Sequence, residues 1–235
     1  MNIIRRHDDG ILRIAGIPVG GMSGLTSESR LRSFEPENPH FFIPRRLGVG
    51  WDLNLGAVAV RLGMIRPDDS IPDLATYIPQ KIYTAAHLTP WLNTCIIHAC
   101  AWKLSQKPQV ISNWGLSGKP RHRTSGNKMA LHTLIANSAL LFYAFSSPAP
   151  GPEKTSSYPE LVSSAEVVSL QLALILNALA SYRIPPSSAR RPVSAAAGLI
   201  LAPVLSTALC VGIVKSALHH LDRELRNQKN ARSHQ

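Results

Sequence analysis

LVSSAEVVSLQLALILNALASY, residues 161–182, and VSAAAGLILAPVLSTALCVGIV, residues 193–214, decide the fold. Each run has 22 residues, and the two together contain one formal charge, Glu166. A helix of that length rises about 33 Å, enough to cross the hydrocarbon core of a bilayer. Two weaker windows precede them, 82–102 with 21 uncharged residues and 129–147 with 19. The four windows hold 84 residues and that single charge, while the other 151 residues carry 38 charges. An ordinary soluble domain has roughly 25% charged residues spread along its length. The segregation therefore excludes both a single water-soluble globule and a charge-rich disordered chain. It predicts a mostly α, integral membrane protein: a four-helix transmembrane bundle (82–214) behind a small cytoplasmic N-terminal domain (1–81), with a basic amphipathic cytoplasmic tail (215–235).

The flanks of the windows agree with lipid as solvent. Lys81 and Lys103 bracket the first, Lys128 precedes the second and Lys215 closes the fourth. Tyr83, Trp91, Trp102, Tyr143 and Tyr182 lie in the windows, several near their ends, where amphipathic rings suit the membrane interface. Spans three and four share a stripe of small side chains every four residues. Ala165, Ser169, Ala173, Asn177 and Ser181 form the first, and Ser194, Gly198, Ala202, Ser206 and Cys210 the second. Small residues at that spacing let helix backbones approach closely, so these two spans are expected to pack on each other. Pro203 is the expected kink site.

Residues 1–81 differ in composition, with 10 Lys/Arg against 9 Asp/Glu and prolines at 18, 36, 39, 44, 67, 72 and 79. Long helices are not expected there. The readable elements are a strand-like stretch at 11–19 and a short helix or strand at 55–64. No apolar core of signal-peptide length is visible near Met1, so this segment is expected to stay in the cytoplasm. In the tail, Val214, Leu218, Leu221 and Leu225 repeat at helical spacing, predicting a helix that continues out of span four onto anionic lipid.

The net charge of +11 and pI near 10.1 raise nucleic acid as a partner. The basic residues, however, cluster beside apolar windows, where they fix orientation, and no nucleic-acid binding is expected. With the N-terminus inside, inner segments hold 16 Lys/Arg and outer segments 9, but discounting the long first segment leaves 8 against 9. Charge alone does not set the topology. Cys95, Cys100 and Cys210 all fall in apolar windows and read as packing residues, not a disulfide framework.

Residues 37–56, ENPHFFIPRRLGVGWDLNLG, resemble the family called domain of unknown function 5808. Pro39, Phe42, Pro44, Arg45, Arg46, Gly48, Gly50, Trp51 and Asn54 carry the resemblance, which covers about 40–80. The family has no agreed activity, so the resemblance implies no chemistry. Residues 108–128, PQVISNWGLSGKPRHRTSGNK, more faintly resemble the loop of domain of unknown function 1648, found in SdpI-like membrane proteins, through Trp114, Gly118, Pro120 and Lys128. Asn113, Ser112 and Arg121 replace the usual His, Pro and Asp. That resemblance implies an extracellular loop after a first span, hence both termini inside, and a connection with toxin immunity or membrane signalling.

Few residues suggest chemistry. His87 and His98 lie on one face of span one, about 16 Å apart along a helix, too far to share one ion. With His132 of span two they are intramembrane polar residues, and no metal site and no cofactor are expected. Glu166 either snorkels to the cytoplasmic interface or pairs inside the bundle with His132 or Asn137. Asp68, Asp69 and Asp73 read as a turn and helix cap. The glycines around Trp51 lack the lysine of a phosphate loop and read as a tight turn that lets Trp51 pack. No nucleophile elbow or zinc motif is present, so no enzyme is expected. Candidate binding residues are Arg45, Arg46, Trp51 and Asn54, with Lys119, Arg121 and Arg123 of the basic loop, which could attract an anionic headgroup or peptide or stand solvated. Gly198, Ala202, Ser169 and Ala173 are the helix-packing residues. The leading expectation is a non-enzymatic membrane interaction protein in envelope sensing or toxin immunity, with membrane lipids and a protein or peptide as partners. The alternatives are a small transporter using Glu166 and the histidines, or a membrane anchor for the N-terminal domain.

Overall fold

A computed structural model describes residues 4–6, 12–20, 31–45, 48–114, 120–145, 158–185 and 193–233. The described chain is mostly helical. Its elements are strands β1 (Ile4–Arg6), β2 (Leu12–Ile14), β3 (Ile17–Gly20), β4 (Phe42–Pro44), β5 (Gly48–Val49) and β6 (Trp51–Leu53), helices α1 (Leu55–Arg61) and α2 (Gln80–Ser105), strands β7 (Val110–Trp114) and β8 (Pro120–Thr124), and helices α3 (Gly126–Phe145), α4 (Tyr158–Arg183) and α5 (Val193–Ser233). Contacts divide it into two compact units, one of residues 1–83, 147–163 and 207–235, the other of residues 84–146 and 164–206.

In the first unit, β1, β2, β3 and β5 form an antiparallel sheet, and β4 pairs with β6 in a second. The stretch expected as one strand over 11–19 is a hairpin. Ala15 and Gly16 sit at φ of 50° and 81°, the left-handed pair that a two-residue turn needs to match strand twist. Gly50, at φ of 109°, lies between the sheets. Its N–H donates to Pro18 O (3.0 Å) and its carbonyl accepts from Arg45 N–H (2.9 Å), so one residue without a Cβ ties both together. The ambiguous segment 55–64 is helical over its first seven residues, α1, because Asn54 caps it: Oδ1 accepts from Gly56 N–H (3.1 Å) and Ala57 N–H (3.3 Å). Leu55, Ala57 and Ala59 face inward with Phe34, Ile43, Ile71 and Leu74 in the core. The acidic run makes turns. Asp69 Oδ2 accepts from Arg66 N–H (2.8 Å), and Ser70 Oγ donates to Asp73 Oδ2 (2.6 Å).

In the second unit, Ala101, Leu104, Val110, Met129, Ala130 and Ala178 form one cluster, with Lys107 Nζ 4.6 Å from the centre of the Tyr182 ring. Ser125 opens α3, its Oγ accepting from Lys128 N–H (3.4 Å). Gly126 is wedged on the carbonyls of Leu104 and Lys107, leaving no room for a Cβ. The segment between α2 and α3, expected as a basic loop, contains the β7–β8 hairpin, with a bulge near Asn113. Val110 and Ile111 are buried and anchor it, while Arg121 and Arg123 face outward.

The charge gaps mark the long helices well. Windows 82–102, 129–147 and 161–182 correspond to α2, α3 and α4, and the fourth continues without a break to Ser233. An exposed ion pair one turn apart, Arg226–Asp222 (2.8 Å), and a contact of His220 Nδ1 with Glu224 Oε1 (3.4 Å) accompany the extension. Among the described residues, two helical segments, Pro159–Arg183 and Ile200–Arg232, are long and apolar enough to cross a membrane.

Candidate functional site

The polar centre of the second unit is built around a proline. Helix α2 continues through Pro90, whose missing N–H leaves the Ala86 carbonyl without its helical donor. Ser164 Oγ of α4 supplies one, at 2.5 Å. One turn further on, Pro90 O accepts from Thr94 Oγ1 (2.8 Å) and from Gln171 Nε2 (3.0 Å). Gln171 Nε2 also lies 2.9 Å from Asn137 Oδ1 and 3.2 Å from Thr94 Oγ1, and Asn137 Nδ2 donates to Thr94 (3.2 Å). Thr94, Asn137 and Gln171 thus lock α2, α3 and α4 through one buried network. Gln171 Oε1, with the hydroxyls of Ser181 and Ser206, is buried without a hydrogen-bond partner among the described residues.

The ionisable residues singled out from sequence lie elsewhere. Glu166 is half-buried and accepts from Tyr143 Oη (2.9 Å), while Asn137 belongs to the Gln171 network. His87 stacks at 6.4 Å on Phe145, which also stacks on Trp91 at 5.5 Å. His98 Nδ1 lies 2.8 Å from Thr94 O, and His87, His98 and His132 are all exposed on their helices. Among the described residues, no three His, Cys, Asp or Glu side chains gather as metal ligands. The small-residue stripes meet: a Cβ on Gly198 would lie 3.2 Å from Ala173 Cα and 3.3 Å from its carbonyl oxygen. Ala202 is buried, as is Ser169, whose hydroxyl donates to Ala165 O (2.6 Å).

Residues 37–56 divide into scaffold and surface. Asn54 is fully buried, and its side chain joins the start of α1 to the segment before β4. Oδ1 accepts from Glu35 N–H (3.0 Å) besides the two helix amides; Nδ2 donates to Glu35 O (2.9 Å), Asn38 O (3.1 Å) and His40 O (3.3 Å). Gly56 lies so close to this segment that a Cβ would come within 2.6 Å of Pro36 N. Asn54, proposed from sequence as a binding residue, is a structural hub. Trp51, expected to pack behind its glycine turn, is 47% exposed. Arg45 pairs with Asp52 at 3.0 Å on the surface. Arg46 and Lys119 lie outside the described residues; Arg121 and Arg123 are exposed on β8.

Sequence reasoning missed Gln171 because its amide was not weighed as a link between helices. The available signal was a long amide side chain in a charge-poor window, with a proline inside a neighbouring helix. The Asn54 signal was also present: an Asn directly before LGAVAV is a helix N-cap pattern.

A family model described as a family of unknown function, DUF5808, matches residues 36–61. The match ends well before residues 108–128, whose resemblance to the SdpI-like loop gains nothing from it. No curated protein and no solved structure matches the chain.

Proposed function

We propose that this chain is a multi-pass membrane protein without catalytic activity, in which α2, α3, α4 and the first half of α5 span the bilayer. Residues 1–81 and the tail 215–235 then lie on the cytoplasmic side. The observation that carries the reading is the polarity of the second unit, which is inverted relative to a protein in water. Gln171 is 0% exposed and Thr94, Thr133, Asn137, Ser169 and Ser181 are buried, while Phe142 is 71% exposed and Ile200 67%. Leu92, Ile96, Trp102, Leu131, Ile135 and Val204 are outward as well. Large apolar patches on a soluble monomer are rare. In lipid, by contrast, polar side chains serve as glue between helices and apolar ones face the solvent. All four helices contribute to this pattern, including α2 and α3, whose composition is less apolar.

Within that frame the chain acts by binding, not by transport. Thr94, Asn137 and Gln171 direct most of their hydrogen bonds at one another, Glu166 is engaged by Tyr143, and the three histidines face outward, an arrangement that supports a scaffold more than a polar path. Envelope sensing or immunity to a membrane-active toxin is the role implied by the resemblance of 108–128 to the SdpI-like loop; lipids and a protein or peptide are its partners. The exposed Arg121 and Arg123 of the β7–β8 hairpin would meet that partner outside the cell. A cysteine-accessibility map at positions 60, 120, 155, 188 and 230 tests the arrangement. Labelling from outside at 120 and 188 only is expected; external labelling at 60 or 230 would overturn it.

A further inference from the structure

The stretch matched by the family model ends in an outward face that the scaffold does not use. In the β4–β6 pair, Phe42 is opposite Leu53 and Pro44 opposite Trp51, so these four side chains share one face; Ile43 and Asp52 share the other. Only Ile43 of this set is in the core. Phe42 is 67% exposed, and Trp51 and Leu53 are exposed with it. The four-stranded sheet of the same unit repeats the pattern. Leu12, Ile14, Ile17 and Val49 lie on one face by register and are all exposed, while Pro18 of the other face is buried. A unit held together so specifically by Asn54 and Gly56 is not a collapsed remnant, and its apolar faces need a covering.

We propose that the outward face of the β4–β6 hairpin docks into the interfacial zone of an anionic lipid membrane. The inference rests on the membrane reading above. Three observations favour lipid as the occupant. First, residues 4–20 and 42–53, the strands with their links, carry Arg5, Arg6, Arg13, Arg45 and Arg46 against Asp8, Asp9 and Asp52, a net positive balance that favours anionic headgroups. Second, the exposed set combines a tryptophan and a phenylalanine with aliphatic side chains beside arginine, the composition of an interfacial anchor. Third, residues 54–79 are all that separate β6 from α2, read here as the first span, so the chain holds the hairpin near the bilayer at high effective concentration. The family signature then has two parts: Asn54, Gly50 and Gly56 shape the hairpin, and Phe42, Pro44, Trp51 and Leu53 enter the membrane surface.

The test uses the full chain with Cys95, Cys100 and Cys210 replaced by Ala, reconstituted in vesicles of phosphatidylcholine and phosphatidylglycerol. A nitroxide is placed at Phe42→Cys or, independently, Leu53→Cys. The exposed Glu37→Cys is the aqueous reference and Phe142→Cys the bundle reference. Collision rates with oxygen and with a water-soluble nickel chelate are compared. The proposal expects an oxygen-to-nickel ratio at 42 and 53 several-fold above that at 37. A ratio equal to that at 37, or exclusion of both colliders as beneath a protein partner or second copy, would overturn the proposal and leave the membrane reading standing. Nickel access at 142 equal to that at 37 would remove both.

Discussion

Replacing Asn54 by Ala should uncouple residues 35–41 from helix α1. The mutation removes the acceptor for three N–H groups, those of Glu35, Gly56 and Ala57, and the donor to three carbonyls. Loss of an N-cap costs about 1 kcal/mol. A partly buried Glu35 N–H left without an acceptor costs about 1–3 kcal/mol more. The carbonyls contribute less: Glu35 O keeps Asn38 N–H (3.3 Å), and His40, being exposed, can turn to water. The total is about 3 kcal/mol, a large share of the roughly 5–15 kcal/mol that stabilises a domain. Hydrogen exchange of the full chain in detergent, read by mass spectrometry, should show protection falling about a hundredfold in peptides covering 35–41 and 55–61. Asn54→Ser separates the two roles. A serine hydroxyl still caps α1 but does not reach Glu35, so 35–41 should lose protection while 55–61 keeps most of it. Protection unchanged within about threefold in Asn54→Ala, a change of ~0.7 kcal/mol, would refute the hub.

Gly56→Ala should be at least as damaging as Asn54→Ala in the same measurement, because its Cβ would fall 2.6–2.7 Å from the backbone of Glu35 and Pro36, which cannot move aside as a side chain would. Gly198→Leu with Ala202→Leu should lower the melting temperature in detergent by separating α4 from α5; an unchanged melting curve would remove their close packing. Gln171→Leu should cost about 1–2 kcal/mol, from three hydrogen bonds at about 0.6 kcal/mol each within a membrane bundle, and a more stable variant would contradict the network as a clamp. Glu166→Gln keeps an acceptor for Tyr143 Oη and should fold normally. In a double-mutant cycle it should lose additivity with Tyr143→Phe, and fully additive effects would show that the 2.9 Å contact carries no energy.

The long helices were legible because a charge gap of about 20 residues has few other uses in a chain. Their ends shifted by only a few residues, except where α5 ran on, and the spacing of Leu218, Leu221 and Leu225 had marked that extension. The small-residue stripes of 161–182 and 193–214 likewise pointed to each other, and Gly198 does meet Ala173. What local sequence did not carry were the pairings. PRHRT has no strand character of its own, and becomes β8 only because VISNW anchors its partner strand through the buried Val110 and Ile111. Trp51 follows a glycine turn as expected, but the period-two alternation of β6 sends it to the same face as Phe42, away from the core. Gln171 owes its importance to the carbonyl of Pro90 on another helix, a relation between residues 81 positions apart. Asn54 was visible as a polar residue in a distinctive motif, and its role as cap and hub emerged only with the position of Glu35.

Fractionation of cells expressing the full chain tests the central claim most directly, that lipid is the solvent of the second unit. After an alkaline carbonate wash the protein should remain in the membrane pellet and enter solution only with detergent. Recovery of the full-length chain from the aqueous fraction as a compact monomer, with Phe142 and Ile200 facing water, would contradict the account.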